Sequence, residues 1–210
     1  MPDISIILMF ATAAFILNAT PGPSMLYALS HSLARGRNAG FASAFGLATG
    51  NTLHVCLNAF GFSYLLVKYP LLLNIIKLAG AIYLFYLGIV YIINSKKSFN
   101  PSFSQENSSD KSLISLYKKG ILVEFLNPKT ALFYISVLPQ FVNTDKGSVV
   151  AQMIILGLCV PITALFVDLS VSFFADAIKN KVMSGRFKNK YHEVFSGMLL
   201  IVLSITVIIL

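Results

Sequence analysis

Six residues constrain most of what this chain can become: NATPGP, Asn18 to Pro23, stands at the end of an apolar run that begins near Ile4. Pro21 and Pro23 have no backbone N–H, so a helix arriving from Ile4 stops or kinks there, and Gly22 between them accepts almost any dihedral. In water such a motif is a turn. In a bilayer each freed backbone group costs several kcal/mol unless protein or trapped water satisfies it, so the break belongs where it lines a cavity.

Composition makes the bilayer the expected solvent. Of 210 residues 56% are hydrophobic and only 11% charged, and the mean hydropathy is +0.77, far outside the range of soluble domains. The net charge of +8 comes from short basic clusters between apolar spans, which argues against nucleic acid as a partner. Cys56 and Cys159 stand singly in apolar runs and read as small hydrophobes, so no disulfide and no metal site is expected. Met1, Pro2 and Asp3 supply no basic region before the first apolar run, which is therefore read as a retained helix. No metal-spaced cluster, nucleophile elbow, phosphate loop or dinucleotide fingerprint is present, so no enzyme, no catalytic residue and no cofactor is expected.

Six apolar segments follow in order. The first runs over 4–18, breaks at Thr20 to Pro23 and resumes over 24–34; the second covers about 39–67, with Gly40, Gly46 and Gly50 allowing close helix approach. The third covers 71–93. Residues 94–118 are rich in Ser, Asn and Lys and read as a solvated linker. The fourth segment begins after Lys118 and Lys119, is broken at Asn127 and Pro128, and continues to Phe141; the fifth spans about 149–178 and the sixth 194–210. The first, third and fifth connections hold twelve Lys and Arg residues and the other two hold only Lys68 and Lys146. By the positive-inside rule those three connections are cytoplasmic and both termini face outward.

An offset of 107 residues lays Pro21 on Pro128, Tyr27 on Tyr134, Gly40 on Gly147 and Gly50 on Gly157; an offset of 117 lays Gly80 on Gly197. A repeat of three spans must be inverted in the membrane, and inverted repeats place a binding site at the midplane between broken helices. The expected fold is an all-α integral membrane protein of six transmembrane helices, two inverted three-helix repeats (1–94 and 119–210) joined by a polar cytoplasmic linker (95–118), with helices 1 and 4 broken.

Helices that resume after a break offer free amides and a positive dipole end to an anion such as a carboxylate, here from Ser24 and Met25, and from Thr130 and Ala131. Lys129 lies about ten residues beyond Lys119, roughly 15 Å into the membrane, where its ammonium needs a carboxylate partner or a wet cavity. Asp168 is the most isolated carboxylate; it reads as a proton carrier, as the partner of a substrate ammonium, or as a structural partner of Lys129. His54 reads as a proton relay, since histidine titrates near neutrality, or as an interhelical donor. Glu124 is expected to pair with Lys118 and Lys119. Lys77 can reach the outer interface, and Asn18, Asn51, Asn58 and Gln140 are candidate hydrogen-bonding residues around a cavity.

Three stretches, NATPGPSMLYALSHSLARGRNAG from Asn18, KLAGAIYLFYLG from Lys77 and LNPKTALFYISVLPQF from Leu126, together resemble the lysine exporter and homoserine/threonine exporter (LysE/RhtB-type) family, in family order along nearly the whole chain. The resemblance implies a bacterial inner-membrane protein that exports amino acids or related metabolites, driven by the proton-motive force. Pro21, Gly22 and Pro23 match the first family motif and Asn127, Pro128 and Lys129 the second, while His54, Lys77 and Asp168 stand where members carry such residues. Glu124 departs from the asparagine that commonly precedes the second motif, a change that would favour a cationic substrate. The expected substrate site is thus Asn18, Thr20, Pro21, Gly22, Pro23, Ser24, Asn127, Pro128 and Lys129, with Asp168 and His54 coupling protons. The alternatives are a non-transporting membrane scaffold and a small-solute channel. Small-residue faces on segments two and three would allow a homodimer.

Overall fold

The computed structural model describes residues 1–62, 70–94 and 112–175, with 177, 194, 197, 198, 201, 202, 204 and 205. The expectations for segment six, for most of the linker, for the loop 179–190 and for the turn at Lys68 lie outside the described residues. Among the described residues every regular element is helical.

Helix α1 (Ile4–Ala19) ends because Thr20, preceding Pro21, is pushed into the extended region at φ −76°, ψ 122°. Helix α2 (Pro23–Arg35) starts with proline at its first position, where a missing N–H costs nothing. The two axes differ by 54°. Gly22 itself is extended, at φ −158° and ψ −177°, a conformation open to any residue. Space is what a side chain here would contest: a Cβ would stand 3.1 Å from the Lys129 ammonium nitrogen, which would have to give by a few tenths of an ångström. Gly36 turns the chain with a left-handed φ of 84° into α3 (Arg37–Leu57), which continues as a π-helical turn at Asn58–Phe62. Helix α4 covers Pro70–Asn94.

Helix α5 (Leu113–Phe125) begins earlier than the composition of 94–118 suggests. Ser112 caps it by accepting from the Ser115 amide, and Leu116 is fully buried, so a capping serine and one core leucine outweigh the polar surroundings. After a break at Leu126 and Asn127 come α6 (Pro128–Ser136) and a short 3-10 turn at Leu138–Phe141, bent by 49° from α5. Helix α7 (Val149–Phe173) follows Gly147, whose φ is 92°. Gly147 therefore plays the part of Gly36, whereas Gly40, its expected repeat mate, lies inside α3 facing Ser32 and Ser172.

By length and apolarity α7 can cross a membrane alone, and each bent pair, α1 with α2 and α5 with α6 plus its 3-10 turn, can cross as one broken span. Helix α3 packs along α5 and along α7, and α1 packs along α7. The α3–α5 approach is close because it is made of glycines: a Cβ at Gly50 would meet Ile121 O at 2.5 Å, and one at Gly120 would meet Ser43 O at 2.8 Å. The small-residue face of α3 is thus spent inside the chain, which removes those glycines from any dimer contact. The main core gathers Phe10, Leu17, Phe133, Tyr134, Met153, Leu156 and Val160 at the bundle end that holds Ile4, Phe141 and Val149. Among the described residues a second, smaller cluster holds Leu29 and Ala175, with Leu33 and Val171 packed against it.

Candidate functional site

Both breaks open onto one small cavity. It is lined by Asn18, Thr20 and Ser24 around the first break, Glu124, Asn127, Lys129 and Thr130 around the second, and Asn51, Ala164 and Asp168 from α3 and α7. Its volume of about 20 Å³ leaves room for a water rather than an amino acid.

The break in α1 leaves its last carbonyls short of helical donors, Leu17 O accepting from the Thr20 amide at a long 3.3 Å. Lys129 supplies them from the other half of the chain: its Nζ donates to Leu17 O at 2.9 Å and to Thr20 O at 3.0 Å. A cation at a helix C-terminus also meets the negative end of the dipole. One ammonium N–H remains. Lys129 forms no ion pair with Asp168 or Glu124, so the structural pairing of Lys129 with Asp168 is not made. Asp168 is only 4% exposed, lines the cavity and has no hydrogen-bond partner among the described residues.

The start of α2 has no side-chain cap. Its first amide to reach a helical acceptor is Leu26, on Gly22 O at 3.0 Å, so the Ser24 and Met25 amides lie ahead of the ladder, as expected for an anion site. The start of α6 is different. The Asn127 side chain accepts from the Lys129 amide at 3.0 Å, and the Ala131 amide donates to Asn127 O at 3.0 Å. Ala131, expected to offer its amide to a ligand, is thus already engaged.

Glu124 is the residue that sequence reasoning misplaced. It is buried rather than paired at the basic end with Lys118 and Lys119, and its carboxylate is the hub of the cavity. Oε1 accepts from Asn51 Nδ2 at 3.0 Å and Thr130 Oγ1 at 2.7 Å; Oε2 accepts from Ser24 Oγ and, at 3.4 Å, from Asn127 Nδ2. Asn127 Nδ2 also donates to Ser24 Oγ at 2.9 Å. Four neutral donors from α2, α3 and the second break offset the cost of burying this charge. The signal in the sequence was position: Glu124 lies one turn before Pro128, so it is nearly as deep as the break.

The other expected residues divide. Asn18 reaches α7, donating to Val160 O at 3.1 Å and Thr163 Oγ1 at 3.0 Å, and Thr20 Oγ1 donates to Ile16 O at 2.8 Å. Pro21, Gly22, Pro23 and Pro128 shape the backbone without lining the cavity. His54 does not line it either; its ring stacks between Phe125 and Tyr134, at 5.4 and 5.7 Å, and its Nε2 lies 3.4 Å from Glu124 O. Asn51 joins the hub, whereas Asn58 donates to His54 O at 2.8 Å and Gln140 to Ser136 O, both away from the cavity. Lys77 falls on α4.

Known proteins resemble this chain along most of its length. The membrane protein YrhP of Bacillus subtilis is 29% identical over 200 residues, 93% of this chain and 94% of its own. Leucine efflux proteins of Klebsiella pneumoniae and Salmonella typhimurium are 26% and 27% identical, covering 87% and 82% of this chain and 86% and 82% of theirs. No solved structure matches. The model of the LysE type translocator family matches residues 15–210, and with two broken helices sharing one polar cavity in a multi-pass membrane chain, the protein belongs to that family.

Proposed function

We propose that the protein exports amino acids or closely related metabolites across the bacterial inner membrane, by proton antiport and alternating access. The observation that carries this reading is the cavity shared by both breaks, where a buried carboxylate with no hydrogen-bond partner among the described residues, Asp168, faces the same space as the Lys129 ammonium, two of whose three N–H groups are engaged. A zwitterion matches that pair. Its carboxylate would take the Ser24 and Met25 amides and the remaining Lys129 N–H, and its ammonium would take Asp168. Glu124, its lone pairs already committed, holds Ser24, Asn51, Asn127 and Thr130 in place.

The names of the leucine efflux relatives support an amino acid as cargo, and leucine comes first among candidates. The packing of α3 on α5 and of α7 on α1 is what exchange of two inverted repeats would generate, supporting six spans in two halves, 1–94 and 119–210, about the linker 95–118. The loop charges support a topology with both termini outside. In a transport cycle the helices around the cavity part to admit the amino acid, Asp168 receives a proton from outside as the cargo leaves, and it returns that proton to the cytoplasm, with His54 as a second carrier.

Counterflow in proteoliposomes against a panel of amino acids, with a proton gradient imposed or collapsed, tests this. The expected result is exchange of a restricted set of amino acids and uphill efflux only with the gradient. Flux without proton counter-transport would make the protein a channel, and no flux in a well-folded preparation would make it a scaffold.

A further inference from the structure

Tyr27 and Tyr134 each stand six residues beyond a break proline, Pro21 and Pro128, on half-helices that leave the cavity toward opposite ends of the bundle. We infer that they are paired gates of the translocation path, Tyr134 closing the cavity toward the outer face and Tyr27 toward the cytoplasm, each opening when its hydroxyl releases the carbonyl it now holds. The inference rests on the inverted-repeat exporter reading.

Tyr134 is fully buried. Its hydroxyl lies 2.7 Å from Asn51 Oδ1 and 3.1 Å from Gly157 O. Gly157 O is the carbonyl that Pro161, four residues further along α7, leaves without its helical N–H. Tyr134 thus brings from another helix a hydroxyl whose one proton is shared between Asn51 Oδ1 and the carbonyl that α7 leaves without a donor, and that bond can break and reform without unwinding anything. The ring closes against His54, inside the plug formed by Phe10, Leu17, Phe133, Leu156 and Val160.

Tyr27 stands at the other end. It is half-buried, its hydroxyl donates to Leu116 O on α5 at 2.8 Å, and its ring meets His31 edge-on at 4.5 Å. Two residues in equivalent places thus each bring a hydroxyl to a backbone carbonyl of a neighbouring helix, Leu116 O and Gly157 O, as paired gates of an inverted repeat would. Asn51 links gate to cavity, since it accepts from Tyr134 and donates to Glu124 Oε1 at 3.0 Å. A substrate that disturbs the Glu124 hub disturbs Asn51, and through it the outer gate.

Sided labelling tests the assignment. Ala164 lines the cavity, so Ala164→Cys, with Cys56 and Cys159 replaced by alanine, is exposed to an impermeant maleimide in right-side-out and inside-out vesicles. Tyr134→Phe should accelerate labelling from the outside about fivefold, equivalent to about 1 kcal/mol for a lost hydrogen bond. Tyr27→Phe should accelerate it from the cytoplasmic side by a similar factor. If Tyr134→Phe does not reach the membrane, Tyr134→Met, of similar bulk without a hydroxyl, carries the same expectation. Acceleration from the same side in both variants, or no change in either, overturns the gates. Counterflow by the parent protein is followed in parallel: intact exchange with unmoved labelling sinks the gates alone, whereas sided labelling without any exchange sinks the exporter reading alone.

Discussion

At the first break α1 hands its last carbonyls, Leu17 O and Thr20 O, to the ammonium of Lys129, a residue of the second break. At the second break Asn127 caps the outgoing helix with its own side chain, and Glu124 gathers the polar groups around it. Both breaks begin as a proline-directed interruption of an apolar helix. They diverge in what satisfies the freed groups. The second break carries its own side-chain cap, whereas α2 has none and the carbonyls before it take the Lys129 ammonium from across the cavity. In the proposed site the second break is therefore the fixed wall and the first the receptive side, with one lysine joining the two.

The largest test of this asymmetry is Lys129→Ala. It takes its donor from Thr20 O, leaves Leu17 O to the Thr20 amide at 3.3 Å, and removes a cation from the cavity, an unsatisfied carbonyl costing about 1–3 kcal/mol. Counterflow should fall at least about a hundredfold at equal amounts of protein in the membrane, about 2.7 kcal/mol; transport within about threefold of wild type would show that the first break does not need its borrowed cap. Gly22→Ala should do less. Its new Cβ would stand 3.1 Å from Lys129 Nζ and press the ammonium a few tenths of an ångström from its carbonyls, lowering counterflow about tenfold with thermal stability in detergent unchanged. If stability fell instead of transport, Gly22 would matter to the fold rather than to the site. Asn127→Ala should have the smallest effect on transport. Losing the α6 cap costs about 1 kcal/mol and should lower the detergent melting temperature by a few degrees, and a loss of transport matching that of Lys129→Ala would erase the distinction between the two breaks.

The sequence made the breaks and the membrane legible, because prolines and apolar runs act locally and their meaning does not depend on distant residues. That Asn18, Thr20, Ser24, Asn127, Lys129 and Asp168 line one cavity was within reach for the same reason, since each is a polar group at a depth fixed by counting along its own helix. Glu124 could not be placed by charge alone: the nearest basic residues in sequence are Lys118 and Lys119, yet its partners Ser24, Asn51 and Thr130 come from three other helices. The surroundings of His54 were equally out of reach, since the rings it stacks between, Phe125 and Tyr134, come from two other helices. Gly22 has an extended backbone open to any residue, and the tight approach a side chain there would make is visible only once Lys129 is seen to cross from the other half.

The most direct measurement is proton-driven efflux by Asp168→Asn in proteoliposomes, with counterflow of the same amino acid as the control. An asparagine fills the same buried place without an exchangeable carboxyl proton. Uphill efflux should therefore vanish while downhill exchange persists, reduced by the weaker hold on the substrate ammonium. Undiminished uphill transport by Asp168→Asn would remove Asp168 from the coupling, and with it the proposal that the cavity between the two breaks is where proton and amino acid compete.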